Sequence, residues 1–529
     1  MKTQRFLRNA LWLTVSAFLT RLLSMGYRIF LTGRIGAEGI GMYQLIDTVF
    51  VFAVTVSTAG ISLSVSKIIT TALSSNQKIS VRNSIRRCVL FSVLLSFLAM
   101  TGLLCASGWI GTILLRDSRI VLPLRILSIG LPFMASCACM KGYFLAKRAA
   151  GKTAAGEVLE QLVTIGVAVF LFLLFSPKTT SGCCCAVVVG STLGETASCL
   201  FSFILYRMEL RKRRLIFQGS SGCTAKKLCR TILPITLSSA LRSGLTVLDN
   251  ILLSLGLRKY GAGSKSALSE YGILGGMVLP MLFFPTVLLL PFSSLLVPEM
   301  TEALTQNHTG TIRRIADQSL RITLLYALFI SAFFLCFSRE LGLLFYHSAE
   351  SALLLRLLAP MVPLWYLDFV VDGLLKGLDQ QHASLRYNFL DASLRVCLVC
   401  LLIPVTGTKG YVLILYCSGI SNAFLSIRHL TKTARLPIPL FRYGILPLSA
   451  SLAAVFPPAF LFCRVSFLTE HPAFLLIIAL FLSASAYFLL LRLLNCITKE
   501  DISKIKHLFS GIKKQPRRTV PHFIWKEKR

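Results

Sequence analysis

The chain has 529 residues, 55% of them hydrophobic and 15% charged, with a formal net charge of +34. Its mean hydropathy is +0.72. A soluble globule of this length needs a far more polar surface, so the composition excludes one. The apolar residues fall in blocks of about 20, enough to span about 30 Å of hydrocarbon, which predicts an all-α polytopic membrane protein. The positive charge gathers in alternate loops with no basic-aromatic interleaving, so no nucleic-acid partner is expected.

In chain order, hydropathy predicts about fourteen transmembrane helices, at roughly 8–32, 43–66, 88–109, 121–145, 157–176, 184–206, 230–257, 271–297, 320–344, 354–376, 388–404, 411–430, 443–463 and 473–494. The first block is too long for a cleavable signal peptide, and no small-residue cleavage site follows it. Most Lys and Arg fall on one side of this alternation. They include Lys67, Lys78, Arg86, Arg87, Lys147, Lys152, Arg211 to Arg214, Arg313, Arg428 and the tail from Lys499. The positive-inside rule then makes both termini cytoplasmic, which an even number of spans also demands. The tail reads as a topology anchor, or as a patch for anionic membrane lipids.

The chain repeats itself. LPFMASCACMKGYFLAKRAAG from Leu131 aligns without a gap with VPLWYLDFVVDGLLKGLDQQH from Val362, pairing Pro132 with Pro363, Gly142 with Gly373 and, further on, Glu160 with Asp391. Tyr43 lines up with Tyr271, and Arg21 falls one place from the counterpart of Arg242. Two copies with an even number of spans share one orientation, so they are a parallel repeat. The expected organisation is a lobe over 1–215, a lobe over 216–436, two additional helices over 437–497 and a basic tail over 498–529. Two like-oriented bundles suit a transporter whose site lies between them.

Ionisable groups within spans are the functional candidates, because lipid disfavours them. Arg21 and Arg28 are seven residues apart in the first span and so share a helix face. Arg242 and Asp249, with Asn250 beside it, repeat that spacing in the seventh span. Arginine's planar fork binds phosphate bidentately and stays charged. Arg21, Arg28, Arg242, Asp249 and Asn250 are therefore candidate contacts for an acidic substrate headgroup. The alternatives are a buried structural ion pair for Arg21 and snorkelling of Arg28 to the span end. Asp47, Asp368 and Asp372 are candidates for a coupling Na⁺ or H⁺. Lys141 and Glu195 are further intramembrane charges. Asp372 with Lys376, and Asp391 with Arg395, are i, i+4 pairs that can neutralise one another. Pro280, Pro285 and Pro291 predict a curved or broken eighth span.

The 16 cysteines lie mostly within apolar blocks, and Cys397 and Cys400 form a CxxC with no partner at zinc spacing. They read as packing, with no metal or cofactor expected. No GxxxxGK[ST] loop is present for ATP hydrolysis.

The stretch EGIGMYQL, Glu38 to Leu45, followed by STAGISLSVSKIIT, Ser57 to Thr70, resembles the stage V sporulation protein B type of polysaccharide exporter. These are relatives of the lipid II flippase within the multidrug/oligosaccharidyl-lipid/polysaccharide flippase superfamily. The resemblance implies a two-lobed carrier, a monomer, that moves a lipid-linked sugar precursor across a bacterial cell membrane. It implies that Arg21, Arg28 and Arg242 face the diphosphate-sugar and that the two C-terminal helices lie against its polyprenyl tail. Ser62 stands where the family usually has proline, and the Arg21–Arg28 separation is one residue longer. A cation-coupled multidrug exporter of the same fold is the alternative, kept open by Asp47, Asp249 and Asp368. A membrane enzyme is not expected: the short outer loops hold only His347 and His471.

Overall fold

The computed structural model describes residues 2–58, 60–62, 64–66, 69, 81–147, 149–177, 179–212, 225–261, 264–434, 444–465, 472–494 and 496. Lys67, Lys78, Arg213, Arg214 and the basic tail lie outside them. Among the described residues the chain is helical and holds no strand.

The elements, in order, are α1 (Lys2–Thr58), α2 (Val81–Trp109), α3 (Val121–Ser128), α4 (Leu131–Ala146), α5 (Ala150–Phe175) and α6 (Thr180–Lys212). Then come α7 (Ala225–Lys259), α8 (Ser264–Tyr271), α9 (Leu279–Phe283), α10 (Leu289–Thr305), α11 (Thr309–Tyr346), α12 (Ala349–Leu358), α13 (Val362–Gly377) and α14 (Gln381–Ala434). Two more follow, α15 (Leu446–Val465) and α16 (Pro472–Leu493).

Among the described residues, eleven helical stretches are long and apolar enough to cross a membrane, or twelve when α3 and α4, which meet at 43°, count as one bent span. Two of them are too long for a single crossing. α1 has 57 residues and α14 has 54, so each runs about 80 Å or more at 1.5 Å per residue. Each is broken at one glycine in the left-handed region, Gly36 (φ 67°) and Gly407 (φ 61°). Only glycine adopts that backbone without a Cβ penalty. Counting both as two crossings gives the fourteen predicted from hydropathy.

Proline breaks the eighth crossing. α8 passes into a π-helical turn at Gly272–Val278, then α9, then a 3₁₀ turn at Phe284–Leu288 that contains Pro285, then α10. Proline removes a backbone N–H and frees carbonyls that lipid cannot satisfy. Two buried or half-buried tyrosines donate to carbonyls beside the break: Tyr366 to Leu282 O at 2.6 Å and Tyr326 to Pro285 O at 2.9 Å.

The described helices form two compact units, Met1–Pro437 and Ile438–Arg529. In the second, α15 packs on α16, which turns Leu476, Ala479, Ser483, Tyr487 and Leu491 inward at helical spacing. In the first, the two copies repeat their contacts. A Cβ on Gly142 of α4 would lie 2.6 Å from Ser62 O, and one on Gly373 of α13 would lie 2.1 Å from Ser293 Oγ. The glycines and the serines are the same number of positions apart, so one helix crossing occurs twice.

That register also relates Gly41 to Gly272, and these two glycines face each other across the copies. A Cβ on Gly41 would lie 1.9 Å from Leu268 O, and one on Gly272 would lie 2.1 Å from Ala37 O. Ala37 and Leu268 are counterparts too, so the contact is self-complementary, as at a two-fold interface. The pairing of Tyr43 with Tyr271 does not share this register. The physical constraint sits on the glycines, where there is no room for a side chain, and not on the tyrosines.

Candidate functional site

α1 and α7, the first helices of the two copies, carry the arginines. Arg21 is exposed on α1, and among the described residues no ion pair or side-chain hydrogen bond engages it. Arg28 lies about 10 Å further along the helix. It is half-buried, and its Nη1 donates to Gly276 O at 3.1 Å. Gly276 belongs to the π-helical turn, where the ordinary i→i+4 ladder is displaced and a carbonyl can accept from outside. Arg28 thus bridges the two copies beside the Gly41–Gly272 seam. Asp47 on α1 is half-buried, with Arg28 as the cation within electrostatic reach.

Arg242 is exposed on α7, and Asp368 of α13 is the carboxylate within its electrostatic reach. Asp368 accepts from Asn422 Nδ2 at 3.0 Å. Asp372, four residues on, pairs with Lys376 at 2.5 Å and accepts from Ser384 Oγ. Asn250 is half-buried.

Asp249 does not share the exposure of Arg242, although the seven-residue spacing puts both on one face. Its side chain is 9% exposed and points at Arg395 of α14, whose Nη1 lies 3.8 Å from Asp249 Oδ2. Arg395 Nη2 bonds Asp391 Oδ2 at 2.8 Å, and Ser418 donates to Asp391 Oδ1. One guanidinium therefore holds two carboxylates and joins α7 to α14. Replacing Arg395 with methionine leaves both carboxylates buried without their cation. Breaking such a pair costs about 3–5 kcal/mol. Denaturant unfolding should show that loss, and adding Asp249→Asn should restore part of it.

At the end of the bundle where α1 breaks, a second network forms. Arg119 bonds Glu38 Oε1 at 2.8 Å and Asp117 Oδ2 at 2.7 Å, and Arg258 of α7 donates to Arg116 O at 3.0 Å across the copies. The Arg258 bond and the glycine seam together join the two copies at that end. Sequence reading missed the seam. The spacing Gly272 to Gly276 is the readable signal, since small residues four apart let helix backbones touch.

Among the described residues no group of three or more His, Cys, Asp or Glu is placed to hold a metal ion. The arrangement offers cations on two like-oriented helices, one of them exposed and unpaired, with carboxylates set behind them.

A model of the polysaccharide biosynthesis protein family matches residues 6–303. The chain belongs to that family. A second model, MatE, matches residues 234–401, within the second copy. Stage V sporulation protein B of Bacillus subtilis (strain 168) is 23% identical over 96% of this chain and 98% of its own length. Among solved structures, the lipid II flippase MurJ in an inward closed conformation superposes with a TM-score of 0.64 at 13% identity, covering 90% of this chain and 97% of that one. An inward-facing multidrug resistance MATE family transporter of the MOP superfamily gives 0.65 at 14% identity, covering 80% of this chain and 98% of that one. At these identities the structural likeness establishes the fold: this family member is built as MOP superfamily transporters are.

Proposed function

We propose that the chain flips a lipid-linked sugar precursor, a polyprenyl diphosphate-sugar, across the cell membrane by alternating access between its two lobes. The observation that carries this reading is Arg21: an exposed guanidinium, midway along a membrane-spanning helix, with no carboxylate against it among the described residues. Such a charge is costly in lipid, so it belongs in a wet cleft, where an anionic headgroup supplies the missing counter-charge. In this reading Arg242 serves the same cleft from the second lobe, with Asn250 about 12 Å further along its helix. The polyprenyl tail stays in lipid throughout, against α15 and α16, and no covalent step is needed.

The charge asymmetry of the loops supports cytoplasmic termini. In that orientation the Gly41–Gly272 seam lies on the outer side. Na⁺ or H⁺, held at Asp47, Asp368 or Asp372, supplies the coupling, and the chain works as a monomer.

A second reading, a cation-coupled multidrug exporter, draws on the MatE match and on the carboxylates behind the arginines. Purified protein in vesicles separates the two. Flipping of a polyprenyl diphosphate-linked disaccharide without export of a cationic dye supports the first reading; export of the dye without flipping overturns it.

A further inference from the structure

At the end of the bundle where α1 breaks, one cation is left short of acceptors. Arg258 is half-buried near the end of α7. Its Nη1 donates to Arg116 O at 3.0 Å. Its Nε and Nη2 are shielded from solvent and meet no acceptor among the described residues. These two nitrogens form the side-on fork of the guanidinium, the edge that takes two oxygens of one carboxylate or phosphate.

The acidic groups at this end are already taken. Asp117, Arg119 and Arg116 lie within electrostatic reach of Arg258, two cations to one anion. Arg119 holds Asp117 through Nε at 3.0 Å and Nη2 at 2.7 Å, and its Nη1 donates to Glu38 at 2.8 Å. The partner left to Arg258 is a neutral carbonyl. Arg116 itself stands in the left-handed region (φ 52°), which is uncommon for a residue with a side chain. Asp117 N donates to Gly111 O at 2.8 Å and pins the turn in that form. A helix of the second copy is thus bonded to a fixed turn of the first, with two buried donors unsatisfied. Such donors favour any arrangement that brings them an acceptor.

We propose that Arg258 is an anion site of the outer end, masked here by its bond to Arg116 and filled by a phosphate or diphosphate group when the two copies part at that end. An ionised phosphate oxygen is a stronger acceptor than a carbonyl, and one phosphate fills both empty donors. Binding therefore draws Arg258 from Arg116 and favours the parted arrangement, the differential affinity that a shift between two states requires. Only hydrogen bonds are exchanged. The inference rests on the transport reading for its orientation. It adds a second anion site on the side where the headgroup leaves, sixteen residues beyond Arg242 and about 24 Å further along α7.

The test uses the full chain in nanodiscs of neutral lipid and follows hydrogen exchange of the amides at 110–120, which reports opening of the turn. One arm adds inorganic pyrophosphate to the solution; the other places a polyprenyl diphosphate in the disc. Exchange should speed up by about tenfold in the wild type, the worth of one charge-assisted bond. The response should vanish in Arg258→Gln. It should be partial in Arg258→Lys, which keeps the charge and can still bond the carbonyl but lacks the fork. Lys265→Gln, which removes an equal charge from the same side, and Arg21→Ala should respond as the wild type does. A response to both probes assigns the site to a diphosphate whatever carries it; the lipid alone assigns it to the passenger, and free pyrophosphate alone to a soluble anion. Response to neither, response that persists in Arg258→Gln, or response that is lost in Arg21→Ala overturns the site. None of these results needs transport, so the flippase reading survives them. A flipping assay that fails while exchange behaves as stated overturns the flippase reading alone.

Discussion

Replacing Arg21 with alanine should slow flipping of a polyprenyl diphosphate-linked disaccharide by about ten- to a hundredfold while leaving the fold unchanged. A charge-assisted hydrogen bond contributes about 1.5–3 kcal/mol, and each 1.4 kcal/mol is a factor of ten. On the stability side, Arg21 is exposed and no carboxylate meets it among the described residues, so truncation should shift stability by no more than about 0.5 kcal/mol. The two readouts together separate recognition from bracing. A structural arginine would lower the melting temperature when removed, as Arg395→Met is expected to do. Arg21→Lys keeps the charge but loses the planar fork, so an intermediate rate is expected if the headgroup is held bidentately. Arg242→Ala should also slow flipping, by less, because its neighbour Asp368 already offsets part of its charge. Normal flipping by both alanine variants, at wild-type expression, would remove the arginines from the site.

The crossings were legible because length and hydropathy alone define them. The breaks within them were not. Residues 33–42 turn polar and glycine-rich, and hydropathy reads a loop there. The backbone stays helical and yields only at Gly36. Hydropathy reports contact with lipid, and a helix leaving the lipid is still a helix. The candidate arginines were legible as intramembrane charges, yet the shared face predicted for Arg21 with Arg28, and for Arg242 with Asp249, does not become a shared environment. Seven residues are about 10 Å along the axis. Over that distance α1 enters the crossing with the π-helical turn and α7 enters the packing against α14, so the second member of each pair is engaged and the first is exposed. Asp391 and Arg395 were readable as an i, i+4 pair. Asp249 as their third member was not, because spacing within one helix says nothing about which helix packs against it.

Gly41→Leu should destabilise the protein by about 3 kcal/mol, the upper range for overpacking a tight contact, and should impair flipping. The seam is backbone against backbone. A Cβ at Gly41 would lie 1.9 Å from a carbonyl oxygen of α8, and a carbonyl within a helix cannot swing aside as a flexible side chain can. The helices must separate, and with them the bonds that Arg28 makes to Gly276 O and Arg258 makes to Arg116 O. Helix propensity works the other way, since leucine is favoured over glycine in a helix by up to about 1 kcal/mol. Gly26→Leu is therefore the control: it lies on the same helix, with nothing within 4 Å of its Cβ, and should be neutral or slightly stabilising. Because Gly272 is the counterpart of Gly41, Gly272→Leu should cost a similar amount. The double variant should lose clearly less than the sum, since a seam already forced apart by one side chain accommodates the second. Thermal unfolding of the four variants measures all of this. Wild-type melting of Gly41→Leu would mean that the two copies do not close on each other through these glycines.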